Sequence, residues 1–169
     1  MRFSIYNKLI LLSAIMCYSC GDKEADIFSP DKSVWQQTSH TDQMTGTSSV
    51  SIYVSSIWTS VGGSVESCHL YVRNTGGNIE VYLYAGYVNL LGSEPHYIKI
   101  KVDEKPLWES GISESTDGKA VFIHNVSQII NQLRGSSVTL LRLEYYGLGN
   151  VTFSFNTNGF NEAYSELTN

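Results

Sequence analysis

Apolar and polar residues alternate with a period of two along most of the chain beyond residue 49, a pattern typical of β-strands with one buried face. The run CHLYVRN at residues 68–74 is the clearest example, because it places Cys68, Leu70 and Val72 together on one face. The other runs are rich in β-branched and aromatic residues. The pattern predicts strands over residues 49–58, 68–74, 78–87, 96–103, 119–124, 137–146 and 150–157.

Turn-forming residues separate these strands. Residues 74–78 (NTGGN) lie between two alternating runs and predict a β-hairpin, and residues 147–149 (GLG) predict another. Residues 105–108 (KPLW) are expected to form a turn and a short edge segment. Residues 35–49 show no periodicity and are rich in Thr, Ser and Gly, so we expect a structured loop there, with Trp35 anchored at the edge of the core.

Helical periodicity occurs in one internal segment, residues 126–133, whose apolar residues recur at i, i+3, i+4 and i+7. Asn125 is a candidate N-cap for this helix, and Gly135 is a candidate stop signal. Residues 159–167 predict a second short helix that packs its apolar side chains on the sheet.

These elements predict a single β-domain over residues 34–169. About eight antiparallel strands with short turns are typical of an all-β fold, either an antiparallel β-sandwich or a partly open barrel with one or two short helices. A carrier with an apolar pocket inside a closed barrel has the same strand pattern and stays open at this point.

The first 19 residues have the features of a lipoprotein-type secretory signal. Two cations, Arg2 and Lys8, precede the apolar run LILLSAIM, and the chain becomes polar directly after Cys20. In bacterial lipoproteins the cysteine after the cleavage site receives the lipid. We therefore predict a signal peptide over residues 1–19, lipidation of Cys20 and a tether that continues to residue 33. A signal cleaved without lipidation and an uncleaved anchor are the alternatives.

Lipid on Cys20 would attach the protein to a membrane of the bacterial cell envelope, and Gly21 favours the outer membrane, facing the periplasm. Residues 20–169 carry nine Lys and Arg against 16 Asp and Glu, a net charge of −7. This balance argues against nucleic-acid binding, which needs a dense cationic surface, and against polybasic binding to anionic lipid. The sequence does not indicate an oligomeric state.

Motifs that carry chemistry are few. Cys68 has no partner if Cys20 is lipidated, and we expect it to be a small buried hydrophobic residue; without lipidation, a Cys20–Cys68 disulfide is the alternative. The four histidines stand singly, and no metal-ligand spacing, nucleotide-binding motif or nucleophile motif occurs. His124 near Asp117 is the least implausible acid–base couple, against a histidine satisfied locally at a strand end. We predict no catalytic residue, metal or cofactor.

The outward face predicted for the central strands is rich in tyrosine and arginine, extended by Lys99 and Lys101. Such residues dominate recognition surfaces because they bury a large area while keeping a polar group. The residues predicted to bind a partner are Tyr71, Arg73, Tyr82, Tyr84 and Tyr97. Two alternatives stay open: the tyrosines make only cross-strand pairs, or a second sheet covers this face.

The order of short motifs resembles the VasI/TagO-like proteins associated with type VI secretion. Trp35 precedes TDQMTG at residues 41–46, and a Ser- and Val-rich strand and then LYVR at residues 70–73 follow. The matched motif residues are Trp35, Asp42, Met44, Thr45, Arg73, Trp108, Thr116 and Asp117. Gln43 replaces the proline of the family pattern, and Asn74 replaces its cysteine, so a disulfide that uses this cysteine is absent here.

The resemblance implies a small, all-β, envelope-facing accessory domain without enzymatic activity. We therefore expect a lipid-anchored envelope protein whose β-domain binds a protein or a glycan. An envelope inhibitor, immunity or phage-exclusion factor is the alternative, and a hydrolase that uses dispersed acids or His124 is a third class. The motif residues also have a structural interpretation, because Asp and Thr in loops shape turns.

Overall fold

The computed structural model describes residues 34–60, 68–86, 88–90, 92 and 95–168. Nine strands and two helices form within these ranges. The strands are β1 Gln36–Thr41, β2 Ser48–Thr59, β3 His69–Thr75, β4 Asn78–Tyr84, β5 His96–Val102, β6 Trp108–Glu114, β7 Ala120–Ile123, β8 Val138–Tyr145 and β9 Gly149–Asn156. The helices are α1 Val126–Leu133 and α2 Phe160–Thr168.

Eight of the strands close into an antiparallel barrel in the order β2-β3-β4-β7-β6-β5-β8-β9. Closure depends on the 12-residue β2, which pairs with β3 along its first part and with β9 at its end, across an irregularity between Ser56 and Trp58. Such irregularities bend a strand and increase its twist. The all-β class and the short helices are confirmed, whereas the architecture is a closed barrel rather than a sandwich or a partly open barrel.

Apolar residues on the inner faces of the strands fill the barrel. Leu70 and Val72 on β3 and Ile98 and Ile100 on β5 have no exposed surface, as their alternation predicts. An eight-stranded barrel is just wide enough for side chains to fill it. The aromatic rings of β9 occupy this interior too, so the part of the barrel that the structure describes gives no support to the carrier hypothesis.

Both helices pack against one end of the barrel. The bounds of α1 coincide with the prediction, and α1 buries Ile129, Ile130 and Leu133 in the core. Asn125 occupies the N-cap position but makes no side-chain capping bond. Buried α2 residues include Phe160, whose ring lies 5.2 Å from that of Trp35. No helix in the described ranges is long and apolar enough to span a membrane.

Two segments differ from the prediction. The loop expected over residues 36–41 is instead strand β1, which pairs with β2 outside the barrel. All six β1 residues are exposed, so burial imposes no alternation on them. Trp108, expected in a short edge segment, begins β6, which lies inside the sheet between β5 and β7. Buried Ser110 and the central Gly111 break its apolar pattern.

Candidate binding surface on the outside of the barrel

Four aromatic side chains stand side by side on the outer surface of adjacent strands. Tyr53 of β2, Tyr71 of β3, Tyr82 of β4 and Phe122 of β7 are opposite one another in the strand register. Ring centroids are separated by 4.9 Å for the first pair, 5.0 Å for the second and 5.2 Å for the third. Cross-strand neighbours at this spacing are the side-chain pairs that stabilise sheets. We call this row the aromatic ladder.

The two central rings of the ladder each have an aromatic neighbour on either side. Tyr71 and Tyr82 are stacked with an interplanar angle of 2°, and Tyr53 stacks on the other side of Tyr71 at 23°. Burial raises the pKa of both central phenols, so they are neutral at physiological pH. The ladder therefore presents ring edges and uncharged hydroxyl groups to a partner.

Arg73 places a cation beside the ladder. Its Nε and Nη2 atoms both donate to Glu80 Oε2, at 2.8 and 2.6 Å, and the two side chains are each about one-third exposed. The guanidinium carbon lies 5.2 Å from the ring centroid of Tyr82 and 5.9 Å from that of Phe122. Cation–π and ion-pair contacts therefore hold Arg73 in one orientation.

A groove of about 320 Å³ borders the ladder, between β1 and the outer face of β2, β3 and β4. Its lining residues are Thr38, His40, Ser49, Ser51, Tyr71, Arg73, Tyr82 and Tyr84. A second recess of about 470 Å³ shares His40, Ser49 and Arg73 with it and adds Asp42 and Glu80. The groove is thus rich in hydroxyl groups and is close to charge balance.

The structure brings four of the five predicted partner-binding residues together. Tyr71, Arg73, Tyr82 and Tyr84 all line this groove. Tyr97 is exposed but lies on β5, and β7 and β6 separate that strand from β4. It borders another recess, with Lys99 and Arg142. The grouping of Tyr97 with the other four was wrong, because chain order did not give strand order.

Sequence reasoning missed two rings of the ladder. Tyr53 and Phe122 both lie within strands that were predicted, at outward positions. Their alternation was a usable signal for the face that they occupy, but their proximity to Tyr71 and Tyr82 depends on the order of the strands. Among the described residues no second sheet covers this face, because the strands there close into one barrel. Cross-strand pairing of the tyrosines is present, as the other alternative held.

The acidic residues of the resemblance motifs organise turns. Asp42 Oδ1 accepts hydrogen bonds from the backbone N–H groups of Met44 and Thr45, at 2.7 and 3.3 Å. Asp117 Oδ1 accepts from Ser115 Oγ at 2.6 Å. These bonds lower the pKa of both carboxyl groups. The structural interpretation therefore accounts for these positions in the hairpin turns after β1 and β6.

The remaining motif residues are divided between the surface and the core. Met44 and Thr116 are exposed in those turns. Trp35 is buried, and the Nε1–H of Trp108 donates to Gln132 Oε1 of α1 at 2.9 Å. Both tryptophans thus attach flanking elements to the barrel, and Arg73 is the one motif residue that lines the groove.

The described residues do not form the acid–base couple considered above or a metal site. Asp117 precedes β7 and His124 follows it, so the strand separates this couple. Within the described ranges, no three His, Cys, Asp or Glu side chains are grouped to hold a metal ion. Cys68 is fully buried and free, as expected for a small hydrophobic residue, and burial raises the pKa of its thiol. Cys20 and residues 1–33 lie outside the described residues.

Comparison with known proteins gives a likeness of fold. No protein-family model and no curated protein matches this chain. Among solved structures, the crystal structure of invasion associated protein B from Bartonella henselae aligns with a TM-score of 0.52 and 19% sequence identity. The alignment covers 80% of this chain and 92% of that one. At this identity the likeness concerns the β-barrel fold alone.

Proposed function

We propose that this protein is a lipid-anchored accessory protein of the bacterial cell envelope that binds a protein partner through the aromatic ladder and Arg73. The lipoprotein-type signal supports the location, and the resemblance to VasI/TagO-like proteins supports a non-enzymatic accessory role. The observation that carries the proposal is the contiguous outer surface of four aromatic rings and one arginine, bordered by a groove.

The composition of this surface favours a protein partner. Tyrosine and arginine are enriched among the residues that contribute most to protein–protein affinity. In the ladder they are already held by stacking and by the Glu80 ion pair, so little side-chain entropy is lost when a partner binds. A sugar ring that stacks on an aromatic side chain needs an open flat face, whereas Tyr71 has a stacked ring on each side and one face of Tyr82 is stacked on Tyr71.

A glycan is the second candidate, and the groove favours it. Thr38, Ser49 and Ser51 contribute hydroxyl groups to its lining, beside His40. Each of these hydroxyl groups can both donate and accept a hydrogen bond, as recognition of sugar hydroxyls requires. On this alternative the ladder forms one wall of the groove rather than the centre of the contact.

Capture from envelope extract distinguishes these possibilities. The bait is the full-length protein, compared with Arg73→Ala and with Tyr97→Ala, an exposed tyrosine on another side of the barrel. We expect the wild type and Tyr97→Ala to recover the same protein, and Arg73→Ala to recover at least about tenfold less, as for a central interface residue. Equal recovery by all three baits, with unchanged melting temperatures, would contradict the proposal.

A parallel assay covers the glycan alternative. The three chains are sedimented with purified cell-wall glycan in place of extract. Binding that Arg73→Ala weakens and Tyr97→Ala leaves unchanged, without a captured protein, would assign the groove to a glycan.

The anchor has its own test. We expect the intact mass of the membrane-extracted protein to correspond to a chain that begins at Cys20 and carries acyl groups, and Cys20→Ala to lack both. An unlipidated wild-type mass would remove the anchor from the proposal and leave the binding surface in place.

A further inference from the structure

The outer strand β1 leaves one edge of the sheet without a partner among the described residues. It pairs with β2 on one side and occupies the end of the strand order. All six of its residues are exposed. An uncovered strand edge is a template on which another strand can pair.

The register shows which backbone groups face this edge. The N–H of Asp42 donates to the carbonyl of Thr47 at 2.9 Å, so the Asp42 backbone points toward β2. Alternate residues of an antiparallel strand form their backbone hydrogen bonds with the same neighbouring strand. The backbone groups of Gln36, Thr38 and His40 therefore also point toward β2. The N–H and C=O groups of Gln37, Ser39 and Thr41 therefore point outward, and these three residues provide the free pairing edge.

Within the part of the chain that the structure describes, strand β1 lacks the features that protect most edges. Its sequence QQTSHT contains no proline, lysine or other fully charged residue, and its register with β2 has no bulge. Natural edges are protected by such residues, by bulges or by a covering element. The chain as a whole is acidic, with a net charge of −5, but the uncharged β1 adds no local charge repulsion at this edge.

We propose that this edge pairs antiparallel with β1 of a second copy of the chain, with the two-fold axis at Ser39. In this register Ser39 lies opposite Ser39 of the second copy, and Gln37 lies opposite its Thr41. The pairing supplies about six main-chain hydrogen bonds and joins the two sheets. The small serine at the axis avoids a steric clash, and no like charges face each other.

The number of residues between Cys20 and β1 is compatible with this arrangement. The first Cα atoms of the two β1 strands would be six residue positions apart, about 20 Å. In each copy, the segment of residues 21–33 could span at most about 45 Å if it were extended. Both copies could therefore place Cys20 in one membrane. If the proposed anchor is present, confinement to the membrane raises the local concentration of the second copy. The strand pairing itself does not depend on the anchor or on the ladder.

Charge exchange at the axis tests the proposal. Two full-length copies with different affinity tags are co-expressed and solubilised from whole cells in mild detergent, and the recovery of the second tag is measured. We expect wild-type copies to co-purify. Ser39→Lys and Ser39→Glu should each lower recovery at least about tenfold, because like charges then face each other at the axis. Co-expression of Ser39→Lys with Ser39→Glu should restore recovery, which simple misfolding of either variant cannot do.

Disulfide trapping gives a second readout. Hydrogen-bonded residues across an antiparallel pair have Cα atoms about 5.5 Å apart, within the usual disulfide range. Ser39→Cys should therefore form a disulfide-linked dimer in whole-cell detergent extracts under oxidising conditions, while the wild type and Met44→Cys, an exposed control in the turn after β1, should not. Wild-type copies that fail to co-purify, charge variants that all behave as wild type, or Ser39→Cys chains that stay monomeric would each overturn the proposal.

Discussion

The stacking of Tyr71 on Tyr82 makes a quantitative prediction about stability. Their ring centroids are 5.0 Å apart and nearly parallel, and both rings are half-buried on the outer face of the barrel. An aromatic pair of this kind is worth about 0.5–1.5 kcal/mol beyond the area that it buries. We therefore expect a coupling free energy of about 1 kcal/mol between the two positions in a double-mutant cycle.

The single substitutions should cost more than this coupling. Tyr71→Ala removes ring contacts with Tyr53, Tyr82 and His69, and we expect it to lower the free energy of unfolding by about 2–3 kcal/mol. Tyr82→Ala removes two ring contacts, and it also removes the cation–π contact with Arg73, which adds about 0.5–1 kcal/mol at an exposed site. The two substitutions should therefore have similar costs.

Urea unfolding of the full-length chain, followed by tryptophan fluorescence, measures these free energies. The control cycle combines Tyr53→Ala with Phe122→Ala, because the two central rings lie between these positions in the register. Positions without shared contacts should be additive within about 0.3–0.5 kcal/mol. Coupling between Tyr71 and Tyr82 that does not exceed the control, at equal m-values, would refute the energetic role of the stack.

Three further predictions concern other parts of the molecule. Trp35→Ala should lower the free energy of unfolding by about 3–5 kcal/mol, measured by the same unfolding assay, because it removes a buried ring from its contact with α2. Because backbone N–H groups lower the pKa of Asp42 in the folded state, its contribution to stability is present above its unfolded pKa and is lost as the pH falls through the folded value. Thermal unfolding between pH 7 and strongly acidic pH should therefore depend less on pH in Asp42→Asn below about pH 4. Burial should protect Cys68 from alkylation in the native protein and expose it in urea, as intact mass after iodoacetamide treatment will show.

Much of the barrel was predictable because burial imposes a period of two on one face of a strand. Ile98, Ile100 and Val102 on β5 are fully buried, and the residues between them carry the polar groups, as the alternation predicted. Burial also made helix α1 predictable, because its buried side is marked by apolar residues that recur with the helical period.

Strands β1 and β6 did not give this signal. Strand β1 lies outside the barrel, so neither of its faces is selected for apolar residues. In β6 a buried position is filled by Ser110, which satisfies its hydroxyl group by donating to the carbonyl of Gly111 at 3.0 Å. A polar residue that meets its hydrogen-bonding needs locally can be buried at low cost, but it removes the alternation from the sequence.

In the aromatic ladder, the local sequence determines the pairing of the two central rings. Gly76 and Gly77 form the two-residue turn between β3 and β4, with φ angles of 59° and 94° that suit glycine. A two-residue turn fixes the register of its hairpin, so the NTGGN segment alone places Tyr71 opposite Tyr82.

The positions of the two outer rings, Tyr53 and Phe122, depend on the order of the strands in the sheet. Tyr53 reaches Tyr71 through the pairing of β2 with β3, and Phe122 reaches Tyr82 through the pairing of β4 with β7, which β5 and β6 separate in the sequence. No short turn connects β4 to β7, so no turn fixes the register of that pair. The alternation of apolar and polar residues in β5 is equally compatible with a position beside β4. The grouping of Tyr97 with the ladder residues depends on that arrangement. The misplaced Tyr97 and the missed Phe122 thus have one cause, since the strand order, which the sequence pattern does not determine, places β7 rather than β5 beside β4.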